Sequence, residues 1–234
     1  MPKTPKTKTL VKRKTAKRKP RDFFIHPTAM MEKNVQIGEG TKIWHFAQIR
    51  QGAKIGKNCV ISNSVFIDFD CEIGDKVKIQ NHAIIYHQAM IENGVFIGPN
   101  VCFTNDKIPR ATNPDGSLKS TEDWQVSTTT IKEGASIGGH SVILPGLTIG
   151  RFALIGAGSV VTKDIPAHAL VYGNPGRIYD FVCKCGQRLR DELSRDEERI
   201  VFQCACGLEN IIPKKDYDLK LYPPTEEKPK IWLR

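Results

Sequence analysis

Residues 37–61 read IGEGTKIWHFAQIRQGAKIGKNCVI, and an isoleucine stands at every sixth position of this stretch. The same spacing continues in both directions along the chain. A small or β-branched residue precedes most of these aliphatic anchors by two positions. The anchors are Ile25, Met31, Ile37, Ile43, Ile49, Ile55, Ile61, Ile67, Ile73, Ile79, Ile85, Ile91, Ile97 and Phe103, and after an interruption Ile131, Ile137, Ile143, Ile149, Ile155 and Val161.

A period of six fits neither a helix, which repeats every 3.6 residues, nor a strand that alternates every two. It is typical of a parallel β-helix, in which three short strands and three turns make one coil of a prism. The anchors and their small partners point inward, and residues such as Gly38 and Asn58 suit the tight corners. We therefore predict an all-β fold of roughly seven coils.

The flat sides of such a prism need covering. Each coil is stabilised only by its neighbours along the axis. The simplest cover for a side is another copy of the chain in a closed ring. We therefore expect clefts between subunits at the turns, where ligands can bind.

The charge of the chain is concentrated at its N-terminus. The 234 residues carry a net charge of +10, and residues 1–21 hold ten of the 35 Lys and Arg and no acid. The remainder is neutral. We expect residues 1–22 to form a disordered basic tail, either a solubilising extension or a segment that contacts anionic surfaces. The body contains no sign of specific nucleic-acid recognition.

Three further segments organise the chain. We assign residues 23–178 to the β-helix, with a loop excursion over 104–130 where the repeat lapses, and residues 179–234 to a small C-terminal appendage. A loop of this length is usually functional. Because no apolar run is long enough to span a bilayer or act as a signal peptide, we expect a soluble, cytoplasmic protein.

The seven cysteines do not suggest a disulfide framework. Cys59 and Cys71 occupy inward positions of the repeat, and Cys102 precedes an anchor. The appendage contains two Cys-X-Cys-Gly motifs whose four thiolates suit a tetrahedral structural zinc. Zinc ribbons usually have two residues between paired cysteines, so the alternative is a small hairpin with reduced thiols. The four candidates are Cys183, Cys185, Cys204 and Cys206.

The segment from Ile155 to Arg177 resembles the coenzyme A-binding end of the hexapeptide-repeat acyltransferases. That resemblance implies a left-handed β-helix, acetyl-CoA as co-substrate and a homotrimer. It implies that backbone amides near Gly156 and Ala157 hold the pantetheine arm. Lys163 and Arg177 would meet the phosphates, and Pro175 would lie by the adenine.

Segments in the middle of the chain resemble one particular group of these acyltransferases. The segments 41–46 (TKIWHF), 77–81 (VKIQN), 96–99 (FIGP) and 103–105 (FTN) are similar to those of N-acetyltransferases acting on the 3-amino group of nucleotide-linked dideoxy sugars. These include the enzymes that acetylate UDP-2-acetamido-3-amino-2,3-dideoxyglucuronate for surface polysaccharides. The likeness covers roughly residues 24–182. The chain departs from it at His82, where a second Asn is common, and at His87-Gln88, where an acid and Gly are frequent.

An amine that attacks a thioester needs positioning and modest help with its proton. We expect Asn81 to orient the amine, with His82 the best general-base candidate. Candidate substrate-binding residues follow from the same comparison. Asn105 and Asp106 would bind sugar hydroxyls or the amine, Arg110 a carboxylate or diphosphate, and Tyr86 and His87 the sugar or base. We interpret His26, His140 and His168 as solvated turn residues.

Three other functions stay open from the residues alone. An O-acetyltransferase acting on a sugar hydroxyl would need His82 as a strong base. A non-catalytic hexapeptide scaffold would have no need for the polar cluster. A gamma-carbonic-anhydrase-like zinc hydratase would need three histidines, but His45 and His82 are 37 residues apart rather than the 36 of two coils, so they would not point the same way.

Overall fold

The computed structural model describes residues 22–124 and 126–220, which form a nearly all-β chain. The strands are β1 (Phe24–Ile25), β2 (Met30–Met31), β3 (Gln36–Ile37), β4 (Lys42–Ile43), β5 (Gln48–Ile49), β6 (Lys54–Ile55), β7 (Val60–Ile61), β8 (Phe66–Ile67), β9 (Glu72–Ile73), β10 (Lys78–Ile79), β11 (Ile84–Ile85), β12 (Ala89–Ile91), β13 (Phe96–Ile97), β14 (Cys102–Phe103), β15 (Thr129–Ile131), β16 (Ser136–Ile137), β17 (Val142–Ile143), β18 (Thr148–Ile149), β19 (Leu154–Ile155), β20 (Val160–Val161), β21 (Ala169–Tyr172), β22 (Arg177–Phe181), β23 (Asp191–Arg195), β24 (Arg199–Gln203) and β25 (Glu209–Pro213). The described residues also contain a single 3-10 turn at Thr121–Asp123 and a short helix, α1, at Lys214–Tyr217.

Every third strand of the repeat joins the same sheet. Sheet A has the order β1-β4-β7-β10-β13-β16-β19-β21-β22, sheet B the order β2-β5-β8-β11-β14-β17-β20, and sheet C the order β3-β6-β9-β12-β15-β18. From β1 to β21, neighbouring strands in these sheets are parallel, and within the repeat they pair each anchor with the anchor one coil later, as in Ile43 with Ile61 and Ile79 with Ile97. The predicted left-handed parallel β-helix is confirmed.

The core is the stack of anchors inside the prism. Ile43, Ile61, Ile79 and Ile97 have no exposed surface, and neither do small partners such as Ala47. Each fully buried aliphatic side chain contributes about 1.5–3 kcal/mol relative to leaving it in water. Stability therefore accumulates coil by coil.

Inward polar or reactive groups fit the stack because they are satisfied or inert. The Thr41 hydroxyl donates to the Gly56 carbonyl at 2.7 Å and accepts the Cys59 N–H at 3.0 Å. Burial raises the pKa of the Cys71 thiol to about 12, so it stays neutral. Cys59 and Cys71 are buried, as the pattern predicts.

The corners require unusual backbone geometry and close approach. One residue of most turns is left-handed, including Asn58 at φ 55° and His82 at φ 60°. Asn and His adopt this region more readily than most residues with a Cβ. A Cβ on Gly38 would lie 2.5 Å from the Gly56 carbonyl carbon, so stacked corners at this column require glycine.

The loop excursion leaves the prism after β14 and returns at β15. It therefore spans residues 104–128, because Thr129 and Thr130 already belong to β15. The excursion has its own order: Asp106 bridges Val126, and Thr112 bridges Leu118. The Thr128 hydroxyl donates to Gln88 Oε1 at 3.2 Å, which ties the end of the excursion to a turn of the prism.

The C-terminal end of the prism is capped by an antiparallel segment. Strand β22 pairs antiparallel with β21, and β23, β24 and β25 form a separate antiparallel sheet. The ring of Tyr217 packs against Phe181 and Phe202 with centroids 5.8 and 5.9 Å apart. This packing joins the small antiparallel sheet to strand β22.

The predicted basic tail over residues 1–22 lies outside the described residues apart from Asp22, as does the chain after residue 220. The division into three domains at residues 22 and 178 stays a prediction. No helix in the described ranges is long and apolar enough to cross a membrane.

Candidate functional site

Two columns of turns flank sheet B. We call the turns that join sheet A to sheet B the AB corner, and those that join sheet B to sheet C the BC corner. The AB corner includes residues 80–82, 98–100, 138–140 and 156–158, and the BC corner includes residues 68–70, 86–88, 104–106 and 162–164.

The predicted site residues of the prism divide between these two corners. Asn81, His82, Gly156 and Ala157 lie on the AB corner; Tyr86, His87, Asn105, Asp106 and Lys163 lie on the BC corner. A single chain therefore brings them to opposite edges of one sheet. It does not gather them into one cluster.

On the AB corner, Asn81 links two coils. Its side-chain oxygen accepts the backbone N–H of Asn63 at 3.2 Å. The His82 amide donates to the Asn63 carbonyl at 3.0 Å. The exposed His82 ring has no hydrogen bond within the described part of the chain.

On the BC corner, the other predicted substrate residues differ in how firmly they are held. Tyr86 is exposed and packs edge-on against Phe66 with centroids 5.9 Å apart. Asn105 and Asp106 are half-buried, and Asp106 accepts the Ile108 amide at 2.8 Å. Arg110 lies in the excursion, is exposed, and donates only to the carbonyl of the preceding Pro109 at 2.9 Å among the described residues.

His87 is held by three contacts to the preceding coil. Its Nδ1 lies 2.9 Å from the Phe69 carbonyl oxygen, and its ring stacks on Phe69 at a centroid distance of 3.9 Å. Its backbone N–H donates to Asp68 Oδ2 at 3.3 Å. The ring is half-buried.

Arg50 and Asp68 support this histidine, and sequence reasoning missed both. Arg50 donates to Asp68 at 3.0 Å, and its guanidinium lies over the Phe69 ring at 5.3 Å. The hydrogen bond that Arg50 donates to Asp68 is the largest influence that raises the pKa of Arg50. Each residue directly follows an anchor, and they are one 18-residue coil apart, so the repeat register could have paired them.

The predicted coenzyme-binding residues lie at the C-terminal end of the prism. The Gly156 amide already donates to the Val171 carbonyl at 2.6 Å. The Ala157 amide has no acceptor among the described residues, so it is the better donor for a ligand. A Cβ on Gly138 would come within 2.4 Å of the Ala157 nitrogen, so glycine on the preceding coil keeps this corner narrow.

The remaining three residues of this group surround the last strand of sheet B. Lys163 follows β20 on the BC corner, Pro175 belongs to the turn between β21 and β22, and Arg177 is the first residue of β22. The Gly176 amide of that turn donates to the Val160 carbonyl at 2.7 Å, which fixes the turn beside β20. Lys163, Pro175 and Arg177 are all exposed, so the two cations are available to phosphates.

The four predicted cysteine ligands do come together. Their Sγ atoms lie within 4.8 Å of one another, with Cys183–Cys206 and Cys185–Cys204 each at 3.6 Å. The two turns have the same backbone geometry: Gly186 donates to Cys183, and Gly207 donates to Cys204, each at 2.8 Å. A tetrahedral zinc with Zn–S bonds of 2.3 Å places its sulfurs roughly 3.8 Å apart, so the thiols fit that ion.

Two of the three histidines expected to be solvated turn residues depart from that environment. His26 is half-buried, and its ring lies 3.6 Å from that of His45, measured between centroids. His168 was expected to be a solvated turn residue, but it is half-buried, and its Nδ1 donates to the Val182 carbonyl at 2.9 Å. Burial lowers its pKa. It joins the last corner of the prism to the C-terminal cap.

Comparison with known proteins agrees with this architecture. The family model described as bacterial transferase hexapeptide (six repeats) matches residues 22–68, 70–105 and 128–163. A relative from Aneurinibacillus thermoaerophilus, dTDP-3-amino-3,6-dideoxy-alpha-D-galactopyranose 3-N-acetyltransferase, is 46% identical over 184 residues, which cover 79% of this chain and 88% of the relative.

More distant relatives are matched over a smaller share of their own length. The bifunctional protein GlmU of Heliobacterium modesticaldum is 31% identical over 64% of this chain, which spans 36% of GlmU. The acetyltransferase domain of PglB from Neisseria gonorrhoeae is a solved structure with 21% identity and a TM-score of 0.43, over 68% of this chain and 58% of that one.

The repeat, the three parallel sheets and the glycine-lined corners define a parallel β-helix of the hexapeptide class. The chain belongs to the bacterial hexapeptide-repeat transferase family.

Proposed function

We propose that this protein transfers an acetyl group from acetyl-CoA to the amino group of a nucleotide-linked amino sugar. The observation that carries the proposal is the 46% identity, over most of both chains, to an enzyme named for 3-N-acetylation of a dTDP-linked 3-amino-3,6-dideoxy sugar. That relative makes dTDP-linked 3-amino-3,6-dideoxyhexoses the first acceptors to test. UDP-linked 3-amino sugar acids are the second.

The two corners supply the groups that this reaction needs. The exposed cations Lys163 and Arg177 suit the phosphates of coenzyme A, and the free Ala157 amide suits its pantetheine arm. The amine would be oriented by Asn81, and the sugar bound by Asn105 and Asp106. Holding both substrates in place accounts for much of the rate, because a neutral amine is already a good nucleophile.

A homotrimer would bring the two corners together. The outward residues of sheet B are Met30, Gln48, Phe66, Ile84, Cys102, Val142 and Val160, so this face is mainly apolar. The outward faces of sheets A and C carry charged residues such as Lys42, Lys78, Lys54 and Glu72. If sheet B faces the axis of a ring, each subunit's AB corner meets the next subunit's BC corner. The site would then be completed only between subunits.

The four cysteines would hold a structural zinc. Cys183, Cys185, Cys204 and Cys206 would be its ligands, and such an all-thiolate site leaves no position for substrate. The ion would hold together the two turns that carry the cysteines. The first of these turns directly follows Phe181, which packs against Tyr217. Free thiols and the proposed co-substrate both fit a reducing cytoplasm.

The rival functions fit the structure less well. A zinc hydratase would need His45 and His82 to point the same way, but they stand two and three residues after their anchors and so occupy different positions of their turns. O-acetyl transfer remains the serious competitor, because it would use the same coenzyme. A scaffold without activity would not be expected to share 46% identity with a transferase across 79% of the chain.

The test compares amine and hydroxyl acceptors. Acetyl-CoA is offered with dTDP- and UDP-linked 3-amino sugars and with their 3-hydroxy counterparts, and thiol release is followed. Turnover confined to an amino sugar supports the proposal. Turnover confined to a hydroxyl acceptor would shift the assignment to O-acetylation, and no turnover with any acceptor would refute the transferase assignment.

A further inference from the structure

We propose that Arg188, in the C-terminal cap, binds the 3′-phosphate of acetyl-CoA. This inference rests on the proposed acetyl transfer, and it adds a phosphate contact from outside the hexapeptide repeat. Three observations carry it: the unpaired edge of the Arg188 guanidinium, the stacked tyrosines beside it, and the direction in which the coenzyme runs along the AB corner.

The Arg188 guanidinium has two donors without a partner. Its Nε and Nη2 atoms are buried and have no hydrogen-bond acceptor within residues 22–124 and 126–220. These two nitrogens share one edge of the guanidinium, and their N–H groups point in parallel, which is the arrangement that binds two oxygens of one phosphate or carboxylate. A buried donor without an acceptor costs free energy, and a charged donor costs more than a neutral one. An oxyanion from outside the described chain would satisfy this edge.

No carboxylate of the described chain takes that role. Asp180, the acid on strand β22, is paired with Lys220 at 2.8 Å. Arg195 and Arg199 of the small antiparallel sheet are each bound to an acid, whereas Arg188 forms no ion pair with any described residue. Arg188 is half-buried as a whole, so it lies near the surface of the cap, where a ligand can approach from solvent.

Two stacked tyrosines form the wall beside this guanidinium. The rings of Tyr172 and Tyr179 are stacked with centroids 3.7 Å apart, and both residues are half-buried. Burial raises the pKa of the Tyr172 phenol, and the charge of Arg188 opposes that rise, which places the guanidinium close to the phenol. The phenol therefore keeps its proton and adds no negative charge that would repel a phosphate. Aromatic rings beside a cation suit a nucleoside phosphate, because its base can stack while its phosphate meets the cation.

The AB corner leads to this group. A Cβ on Gly156 would lie 2.9 Å from the Cβ of Tyr172, so Tyr172 packs directly on the corner whose Ala157 amide is expected to hold the pantetheine arm. Asn81, which is expected to orient the attacking amine, lies three coils nearer the N-terminus. Neighbouring strands are about 4.8 Å apart, so the two positions are separated by about 14 Å along the axis. A coenzyme with its thioester near Asn81 and its arm at Ala157 therefore extends its nucleotide toward Arg188.

The 3′-phosphate fits the unpaired edge better than the diphosphate does. It is a monoester with three terminal oxygens and more than one negative charge, so it can accept both parallel N–H groups at once. The diphosphate lies nearer the pantetheine arm, and the exposed cations Lys163 and Arg177 are available to it. Arg188 lies beyond them in the chain, on the segment that bridges Val182. It is therefore matched to the outermost phosphate of the coenzyme.

The test compares the binding of acetyl-CoA and acetyl-dephospho-CoA, which lacks the 3′-phosphate, to the full-length protein. Isothermal titration calorimetry without an acceptor sugar gives both dissociation constants. We expect the wild-type protein to bind acetyl-CoA at least about tenfold more tightly than the dephospho form. Arg188→Gln should remove this preference by weakening acetyl-CoA alone. Arg190→Gln, which changes an exposed arginine two residues further along, is the matched control and should keep the preference.

Arg188→Lys gives a second reading of the same contact. It keeps the positive charge but cannot form two parallel bonds, so we expect it to retain only part of the preference for acetyl-CoA. Full retention of the preference in Arg188→Lys would argue against recognition by the guanidinium edge.

Three results would overturn the inference. The first is equal affinity of the wild-type protein for both coenzymes, and the second is a preference that survives in Arg188→Gln. The third is an Arg188→Gln protein that binds both forms more weakly by the same factor, because a structural role or a diphosphate contact would affect both equally. These results leave the proposed function intact. That function fails instead if the wild-type protein binds neither coenzyme or acetylates no acceptor sugar.

Discussion

The carboxylate of Asp68 and the guanidinium of Arg50 lie 3.0 Å apart on successive coils of the prism. Asp68 is buried and also accepts the backbone N–H groups of Phe69 and His87. One carboxylate therefore fixes the turn that carries the His87 ring. The pair connects the stability of the coil stack to the geometry of the candidate site.

Replacing Asp68 with alanine should lower both stability and activity. The change leaves two backbone N–H groups without their acceptor and leaves Arg50 with only Glu32 as a partner, which costs about 2 kcal/mol. Thermal unfolding and kcat measure the two effects. Asp70→Asn is the control, because Asp70 is an exposed acid on the same turn. An Asp68→Ala protein with an unchanged melting temperature and unchanged kcat would contradict this role of Asp68.

The apolar face of sheet B should be an interface between copies. We expect Phe66→Glu to convert a trimer to monomers, because it buries a charge at each of three contacts, and to abolish activity along with assembly. Light scattering coupled to size exclusion measures the mass. Met90→Glu makes the same kind of change on the outward face of sheet C and should leave the mass unaltered. A monomeric wild-type protein that is fully active would contradict the composite site.

The cations near the C-terminal end of the prism should bind coenzyme A. Lys163→Ala and Arg177→Ala should each raise KM for acetyl-CoA by about tenfold, the effect of losing about 1.4 kcal/mol of a charge-assisted contact. KM for the sugar nucleotide should hardly change. Lys33→Ala, an exposed lysine in the first coils, is the matched control. Equal effects on both substrates would argue against a coenzyme role.

The C-terminal thiols should hold one zinc per chain. Elemental analysis of protein purified without added metal should find zinc near one equivalent, and Cys204→Ser should lose it and melt at a lower temperature. Cys102→Ser, which changes a half-buried thiol on sheet B, should keep the metal. If Cys204→Ser kept one equivalent of zinc, or the wild-type protein contained none, the zinc site would be contradicted. The four cysteines would then be reduced thiols of a small hairpin.

Stability should depend on pH through His168. Burial lowers its pKa in the folded chain below the ordinary value of about 6.5, so the unfolded chain binds more protons between those two values. Stability is therefore fully present above about pH 6.5 and is lost as pH falls through the folded pKa. His168→Asn keeps an N–H donor for the Val182 carbonyl and should flatten this dependence. His140→Asn, an exposed histidine, should retain it.

The repeat made most of the fold predictable. A buried isoleucine at every sixth position leaves one register in which Ile43 can stack on Ile61, so strands, sheets and inward residues followed from spacing alone. The excursion ends two residues earlier than predicted. Thr129 is the β-branched residue two positions before the anchor Ile131, so the repeat itself could have placed Thr129 and Thr130 in the prism, where they pair with β12.

The site was predicted less completely, for a physical reason. The repeat fixes which side chains point outward, but it does not say which outward groups bind one another. The support of His87 depends on the Phe69 carbonyl, a backbone atom that no residue pattern reveals. Asp68 and Arg50 could have been paired from their 18-residue separation. The burial of His168 could not have been predicted in this way, because it depends on how the chain beyond β21 folds back.

The most direct test of the proposed activity is identification of the product. Purified protein is incubated with acetyl-CoA and dTDP-3-amino-3,6-dideoxygalactose, and the nucleotide sugar is examined by mass spectrometry and NMR. Acetyl transfer to the amine predicts one added acetyl group in amide linkage at the 3-nitrogen, lost in Asn81→Ala and in Asn105→Ala. An acetyl ester on a hydroxyl would contradict that claim. An unmodified sugar, with every related amino sugar also unmodified, would contradict it equally.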